Sequence, residues 1–529
     1  MLCAVSKEGL SLRMAGLPII GMAVAALLIG LMRRRLARTQ WVLSMAMTAG
    51  LWLVVLLLSF PLPMRLELSV WQPQDLFPSS VVLVMDNTAW AFVYAAATLL
   101  MSMVFTAAAR AAEAPAGVRA FCFLYTGFAM LAMMAGNMMT LALAWASLDL
   151  LTLMFLMSMA HRQEERAHVL SRALADVAGV LLLLAAAIVP EGVRDPSIAE
   201  AMSHPLAAGL LMLSVLIRLG LVPLHLEMAP VEKLRRGLGT LLRLYPPAVA
   251  LVLLARILEA GLPSGVVPWV RGVGILAALL GSVRWLLQRE AIEARPYWIL
   301  ALAGLALLST GSSGDAGRSV VAAGLVILLV GGALSLFELV SPAHRALPIL
   351  MGILTAGPPM TPAAILAGGL GESLLQGTSM LLQVVALLCM TMLALGCLHL
   401  LYQPSAGWPT AEALVRVTYN LGLVFPLITL LGLGFWMNAG ISLWGSVAFG
   451  VELLAAGLIF VGLRRLRAET VERARGWIDT FDVGFLQQVL VYVVRGASRL
   501  VRPIAQLFEG ESAMLWMYVI VLMVLMTLG

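Results

Sequence analysis

Apolar stretches of about 20 residues recur from one end of the chain to the other, each long enough to cross a bilayer as a helix. They fall near 14–32, 40–61, 88–108, 118–135, 138–160, 170–189, 205–224, 238–260, 267–287, 296–310, 319–341, 347–370, 379–402, 418–437, 441–464 and 512–528. Only helices and closed barrels satisfy their backbone in lipid, and runs this long and this uniformly apolar specify helices. With 61% hydrophobic residues, 12% charged residues and a mean hydropathy of +0.98, too few polar groups exist to cover a water-soluble surface. The expectation is an all-α polytopic membrane protein of about sixteen transmembrane helices.

Charge in the short loops sets the expected orientation, because Lys and Arg stay on the cytoplasmic side. Arg33, Arg34, Arg35 and Arg38 follow the first span, Arg110 and Arg119 flank the loop after the third, and Arg162, Arg166 and Arg172 follow the fifth. Lys233, Arg235, Arg236, Arg289, Arg295, Arg345 and the run LRRLRAETVERAR at 463–475 fall on that same side. The intervening loops are acidic or mixed, with Glu191, Arg194, Asp195 and Glu200 in one and Asp315 in another. This alternation predicts a multi-pass inner (cytoplasmic) membrane protein with both termini non-cytoplasmic. No small-residue cleavage site follows the first span, so that span is expected to be retained.

Residues 213–230, LSVLIRLGLVPLHLEMAP, place Arg218 inside an apolar span, shortly before Pro223 and His225. A charge there is costly unless paired or wetted, so it marks a candidate functional site. Pro223 is expected to break the helix and free carbonyls that only a protein-lined interior could satisfy. Asp149, also within a span, is the carboxylate that could pair with Arg218. His225 titrates near neutral pH and follows the expected break. Asp176, Arg243, Arg256, Arg284, Glu338 and Glu452 are further charges in or near spans, expected to be helix-end or interhelical partners.

Other chemistry is not signalled. Cys3, Cys122, Cys389 and Cys397 lack the spacing of a metal, cluster or disulfide set. Neither a Gly-rich nucleotide loop nor a hydrolase triad is present, so no cofactor, metal or catalytic centre is expected on this chain, and nothing points to nucleic acid. Residues 468–511 mix charges with apolar residues in the manner of an amphipathic helix along a membrane.

The run NMMTLALAWASLDLL at 137–151 is followed by HRQEERAHVLSRALADVAG at 161–179, then by Arg218, Pro223 and His225. LLQREAIEARPYWILALAGLALLSTG at 286–311 and AGPPMTPAAILAGGL at 356–370 come next, and VMDNTAWAF at 84–92 precedes them all. In this order and spacing, the chain resembles the antiporter-like proton-translocating subunits of NADH:quinone oxidoreductase (complex I), types L, M and N, with relatives in multisubunit Na+/H+ antiporters and membrane hydrogenases. The resemblance covers most of residues 80–400. It implies two inverted five-helix repeats, each with a broken helix, at Pro223 in the first and at Pro358 and Pro359 in the second. The implied division is 1–117 for three N-terminal helices, 118–260 and 261–402 for the two repeats, 403–467 for two further helices, 468–511 for a lateral amphipathic helix and 512–529 for a last transmembrane helix. Such a tail is similar to that of subunit L.

The chain departs from that family where its titrating residues stand. The fifth-span glutamate falls on Ala146, the histidine of the eighth span on Leu242, the next lysine on Ile292 and the lysine of the second broken helix on Leu366, while the seventh-span lysine falls on Arg218. Buried Lys and Glu change protonation readily, and Arg, with a pKa above about 12, does not. Ala146 and Asp149, three residues apart, are expected on nearly one face. With Ile292 and Leu366 interrupting the axis, the first half is expected to be the more polar.

Three roles follow from the resemblance. The first is a membrane-arm subunit of a complex I-like respiratory assembly, with a degenerate path for protons or Na+ through Asp149, Arg218 and His225. The second is a docking paralogue that has lost translocation. The third is the membrane partner of a Na+/H+ antiporter, hydrogenase or inorganic-carbon uptake complex. The expected partners are other membrane subunits and the lipid bilayer, and at most the chain is a non-redox ion-translocating subunit.

Overall fold

The computed structural model describes residues 14–34, 37–68, 80–109, 114–190, 197–222, 236–288, 291–311, 314–337, 342–375, 380–398, 412–437 and 443–465. Pro223, His225, Glu338, the segment 468–511 and the last apolar span lie outside these residues, as does the side chain of Ile292.

The chain opens with α1 (Leu17–Leu31) and α2 (Ala37–Leu57), then a two-stranded antiparallel sheet, β1 (Met64–Leu68) with β2 (Val81–Met85), in the register Met64↔Met85 to Leu68↔Val81. The all-α expectation missed this hairpin, because five-residue strands between apolar spans carry no period long enough to stand out. Its role is positional: Val84 N–H donates to Met134 O at 2.7 Å and Gly136 N–H to Val82 O at 2.7 Å, which fastens β2 to the turn between two helices.

Those helices are α4 (Ala116–Met133) and α5 (Met138–Met159), and they follow α3 (Asn87–Ala107). Asp86 caps α3 by accepting from the Ala89 amide at 2.7 Å, and Asn137 caps α5 by accepting from the Thr140 amide at 2.9 Å. Next come α6 (Gln163–Ile188), the short α7 (Ile198–Met202), α8 (Pro205–Arg218) and α9 (Arg236–Ala260). The amide and hydroxyl of Ser197 donate to Glu200 at the start of α7, holding its carboxyl below the usual carboxylate range.

The second half contains α10 (Val267–Leu287), α11 (Ala291–Leu308), α12 (Asp315–Val326), α13 (Ala346–Thr355), α14 (Pro362–Leu375) and α15 (Met380–Leu398). Two more helices, α16 (Ala413–Trp436) and α17 (Leu443–Arg465), complete the described residues. Among these, nine helices are long and apolar enough to cross a membrane. The protein is a multi-pass helical membrane protein.

Burial orders the bundle. In α3 94% of the apolar window is buried and in α9 89%, against 22% in α1 and 28% in α2, so α3 and α9 form the centre and α1 and α2 the rim. Lipid gives no hydrophobic drive between helices, so close contact comes from small residues. At α10 against α11, a Cβ on Gly281 would sit 2.4 Å from the Ala301 nitrogen, and one on Gly304 2.3 Å from the Ala278 nitrogen. Across the bundle, Arg318 of α12 pairs with Asp86 and, at 2.9 Å, with Glu259 at the end of α9.

Three interruptions matter. α8 stops at Arg218 and not at Pro223. Gly220, at φ +75°, lets the Leu221 amide return to Leu216 O at 2.9 Å and its own amide to Ile217 O at 2.9 Å, the paired bonds that close a helix on glycine. The expected break therefore begins earlier, because glycine ends the helix before proline has to. Between α13 and α14 the chain turns through Gly357 (φ +82°), Pro358, Pro359 and Met360 (φ +66°). Finally, α12 widens into a π turn, Ile327–Gly331, then tightens into a 3-10 turn at Ala333–Leu336. The Trp298 indole donates to Leu328 O in this widened turn at 3.4 Å.

Candidate functional site

Three helices converge on Arg218. The last turn of α8 carries the guanidinium, α5 brings Asp149 and Trp145 on one face, and α6 brings Asp176. Arg218 Nη1 donates to Asp149 Oδ2 at 2.8 Å and Nη2 to Oδ1 at 2.9 Å, the two-pronged match of a planar fork to a carboxylate. Nη1 also donates to the Asp176 backbone oxygen at 3.3 Å. The guanidinium carbon lies 4.2 Å from the centre of the Trp145 ring, so a π face covers the cation where no hydrogen bond does. Arg218 is 0% exposed and Asp149 8%, so both charges are buried.

A second ion pair continues from the first. Arg172 Nε donates to Asp176 Oδ2 at 3.0 Å, one turn apart on α6. The charges alternate in sign from Asp149 to Arg218, Asp176 and Arg172. Buried Asp176 Oδ1, Arg218 Nε and Trp145 Nε1 have no hydrogen-bond partner among the described residues. Three residues beyond Asp149 on α5, the Thr152 hydroxyl shares a 3.0 Å hydrogen bond with Tyr125 of α4, and Tyr125 packs at 5.7 Å between ring centres against Tyr245 of α9. Polar contacts beside the site thus reach the central α9.

No family model matches the chain, and no curated protein matches it. Solved structures do. A chain of the Mrp complex from Dietzia sp. DQ12-45-1b superposes with a TM-score of 0.74 at 16% identity, covering 97% of this chain and 62% of that one. A chain of the membrane-bound sulfane sulfur reductase, an archaeal respiratory membrane complex, gives 0.66 at 14% identity, covering 97% and 99%. A chain of respiratory complex I from Thermus thermophilus gives 0.62 at 16% identity, covering 83% and 99%. The chain shares its fold with these chains of membrane complexes. At 14–16% identity the likeness is one of architecture, and the chain spans 62% of the length of the Mrp chain.

On this shared frame the sequence-derived positions separate. Asp149 and Arg218 meet. Ala146 faces out of the bundle while Asp149 faces in, so the two do not share a face as expected: three residues turn a helix through about 300°, and the remaining 60° or so is enough to move a side chain outside. Leu242 in α9 and Leu366 in α14 are buried at 0% and 1% exposure. Asp176, expected at a helix end or between helices, bonds through its side chain within α6.

Several residues with roles here were not singled out in the sequence. Trp145 covers the cation; its position one turn before Asp149 was the available signal. Arg119 and Arg295, assigned by charge alternation to loops, are buried at 2% and 1% exposure. Arg119 donates to Ala114 O at 2.7 Å and lies over the Trp41 ring. Arg295 donates to Thr240 Oγ1 at 2.9 Å, Thr240 to Arg236 O, and Arg236 to Phe337 O. Arg295 thus ties the start of α11 to α9, and the second half holds a buried cation of its own.

Proposed function

We propose that the chain is a membrane-arm subunit of a complex I-like respiratory assembly, built on the antiporter-like fold, whose ion path is degenerate in its first half. The likeness to chains of respiratory membrane complexes supports the assembly, and one observation carries the degenerate path: both terminal nitrogens of Arg218 are committed to Asp149 in a buried, two-pronged pair. A relay member must give up and regain a proton, and a guanidinium held this way does neither. The pair neutralises two charges and fixes α8 against α5, which is a scaffold role. The inverted repeats, sixteen-helix count, domain division and non-cytoplasmic termini implied by the resemblance belong to this proposal, as does the expectation that protons or Na+ are the family's ions. The test is purification of the tagged chain from its native membranes in mild detergent. Stoichiometric recovery with other multi-pass and peripheral subunits supports the reading, and recovery as a lone monomer at native abundance contradicts it.

A second reading keeps translocation by a rerouted path. The observation in its favour is the alternating ladder of Asp149, Arg218, Asp176 and Arg172, in which Asp176 Oδ1 has no partner among the described residues and so could accept a proton or a water hydrogen bond. Loss of ion flux on Asp176→Asn with the fold intact would select this reading.

A further inference from the structure

We propose that Glu452 is a proton-binding site in the second half of the bundle, separate from the Asp149–Arg218 site. The inference does not depend on how ions move through the first half.

Glu452 lies within α17, a helix that turns Val447, Val451, Leu454 and Leu458 outward. Glu452 itself is 1% exposed. The helix packs on α14 and α15, so a carboxyl group is directed into an apolar helix junction. Neither of its oxygens has a hydrogen-bond partner among the described residues. The facing helices offer no cation: α14 and α15 contain no Lys, Arg or His. Their titratable groups are Glu372 of α14, whose side chain lies outside those described, and the buried thiols Cys389 and Cys397 of α15. On α17 the nearest basic residues are Arg464 and Arg465, roughly 18 Å along the axis at 1.5 Å per residue.

Among the described residues an ionised carboxylate in this position would have no compensating charge, whereas the same group with a proton needs none. A metal cation would need several oxygen ligands, and no grouping of His, Cys, Asp and Glu that could hold one exists among the described residues. Proton binding forms one O–H bond on a carboxylate oxygen, with the proton taken from the aqueous phase and returned to it on release. α14 is the helix that follows the Pro358–Pro359 break, and on it Leu366 stands where the resembling family has a lysine. Glu452 brings a titratable group to that helix from a different element.

The test uses the full-length protein in phospholipid vesicles, treated with dicyclohexylcarbodiimide, which reacts with protonated carboxyl groups in apolar surroundings. Modified residues are identified by peptide mass mapping of the wild type. The expected result is modification of Glu452 in mildly acidic medium that drops to background in alkaline medium. Glu452→Gln, which replaces a neutral acid by a neutral amide of the same shape, is expected to elute as the wild type and to lose the modified peptide. An unmodified Glu452 overturns the proposal, as does modification independent of pH. Protection by Na+ at constant pH also overturns it, in favour of a metal-cation site.

Discussion

Gly179 of α6 leaves the space that the aliphatic stem of Arg218 occupies: a Cβ at position 179 would lie 2.8 Å from Arg218 Cγ and 3.3 Å from Cδ. The Gly179 carbonyl also accepts from Ser214 Oγ at 2.7 Å, one turn before Arg218 on α8. The approach of α6 to α8 and the position of the guanidinium are thus set by one missing side chain. Gly179→Ala is expected to displace Arg218 and destabilise the protein by about 1–3 kcal/mol, the usual cost of overpacking. Gly209→Ala on α8, where a Cβ meets nothing within 4 Å, is the control. Thermal unfolding in detergent checks it: equal midpoints for the two variants would show that the contact is not restrictive.

The Asp149–Arg218 pair is expected to behave as a unit. Removing one partner strands a buried charge and should cost about 3–5 kcal/mol, while replacing both with leucine should cost much less. A double-mutant cycle on Asp149→Leu and Arg218→Leu, read by reversible unfolding, measures the coupling. Additive effects would mean that the two groups do not stabilise one another.

Gly220 ends α8 in a left-handed conformation at φ +75°. An L side chain there costs about 1–2 kcal/mol, so Gly220→Ala should be destabilising even though the residue carries no charge and lies outside the ion pair. Pro223→Ala should be milder, since the helix has already stopped. Comparing the two unfolding midpoints decides which residue terminates the helix; the opposite order would return that role to the proline.

What could be read from the sequence follows from what lipid enforces locally. Arg218 stood out because a charge in an apolar span must find a partner, and few carboxylates lie inside spans, so Asp149 followed. The apolar spans were visible because hydropathy is a property of neighbouring residues. Tertiary placement was not. Arg119 and Arg295 read as loop cations because their acceptors, Ala114 O and Thr240, are supplied by the fold. Ala146 was assigned to the wrong face because a three-residue step is close to, but not equal to, one helical turn. The end of α8 was placed at Pro223 because proline is the stronger signal in sequence, whereas the closing hydrogen bonds on Gly220 depend on backbone geometry. Glu452 was expected to find a partner, and the described residues give it none.

A proton-flux assay with the full-length chain in liposomes bears most directly on whether the first half is a scaffold or a path. Wild-type protein and the paired variant Asp149→Leu with Arg218→Leu are compared under an imposed pH gradient and membrane potential, with protein-free vesicles as background. A fixed ion pair gives the same flux in wild type and double variant. Wild-type flux above background that disappears in a correctly folded double variant would contradict the scaffold role of Asp149 and Arg218.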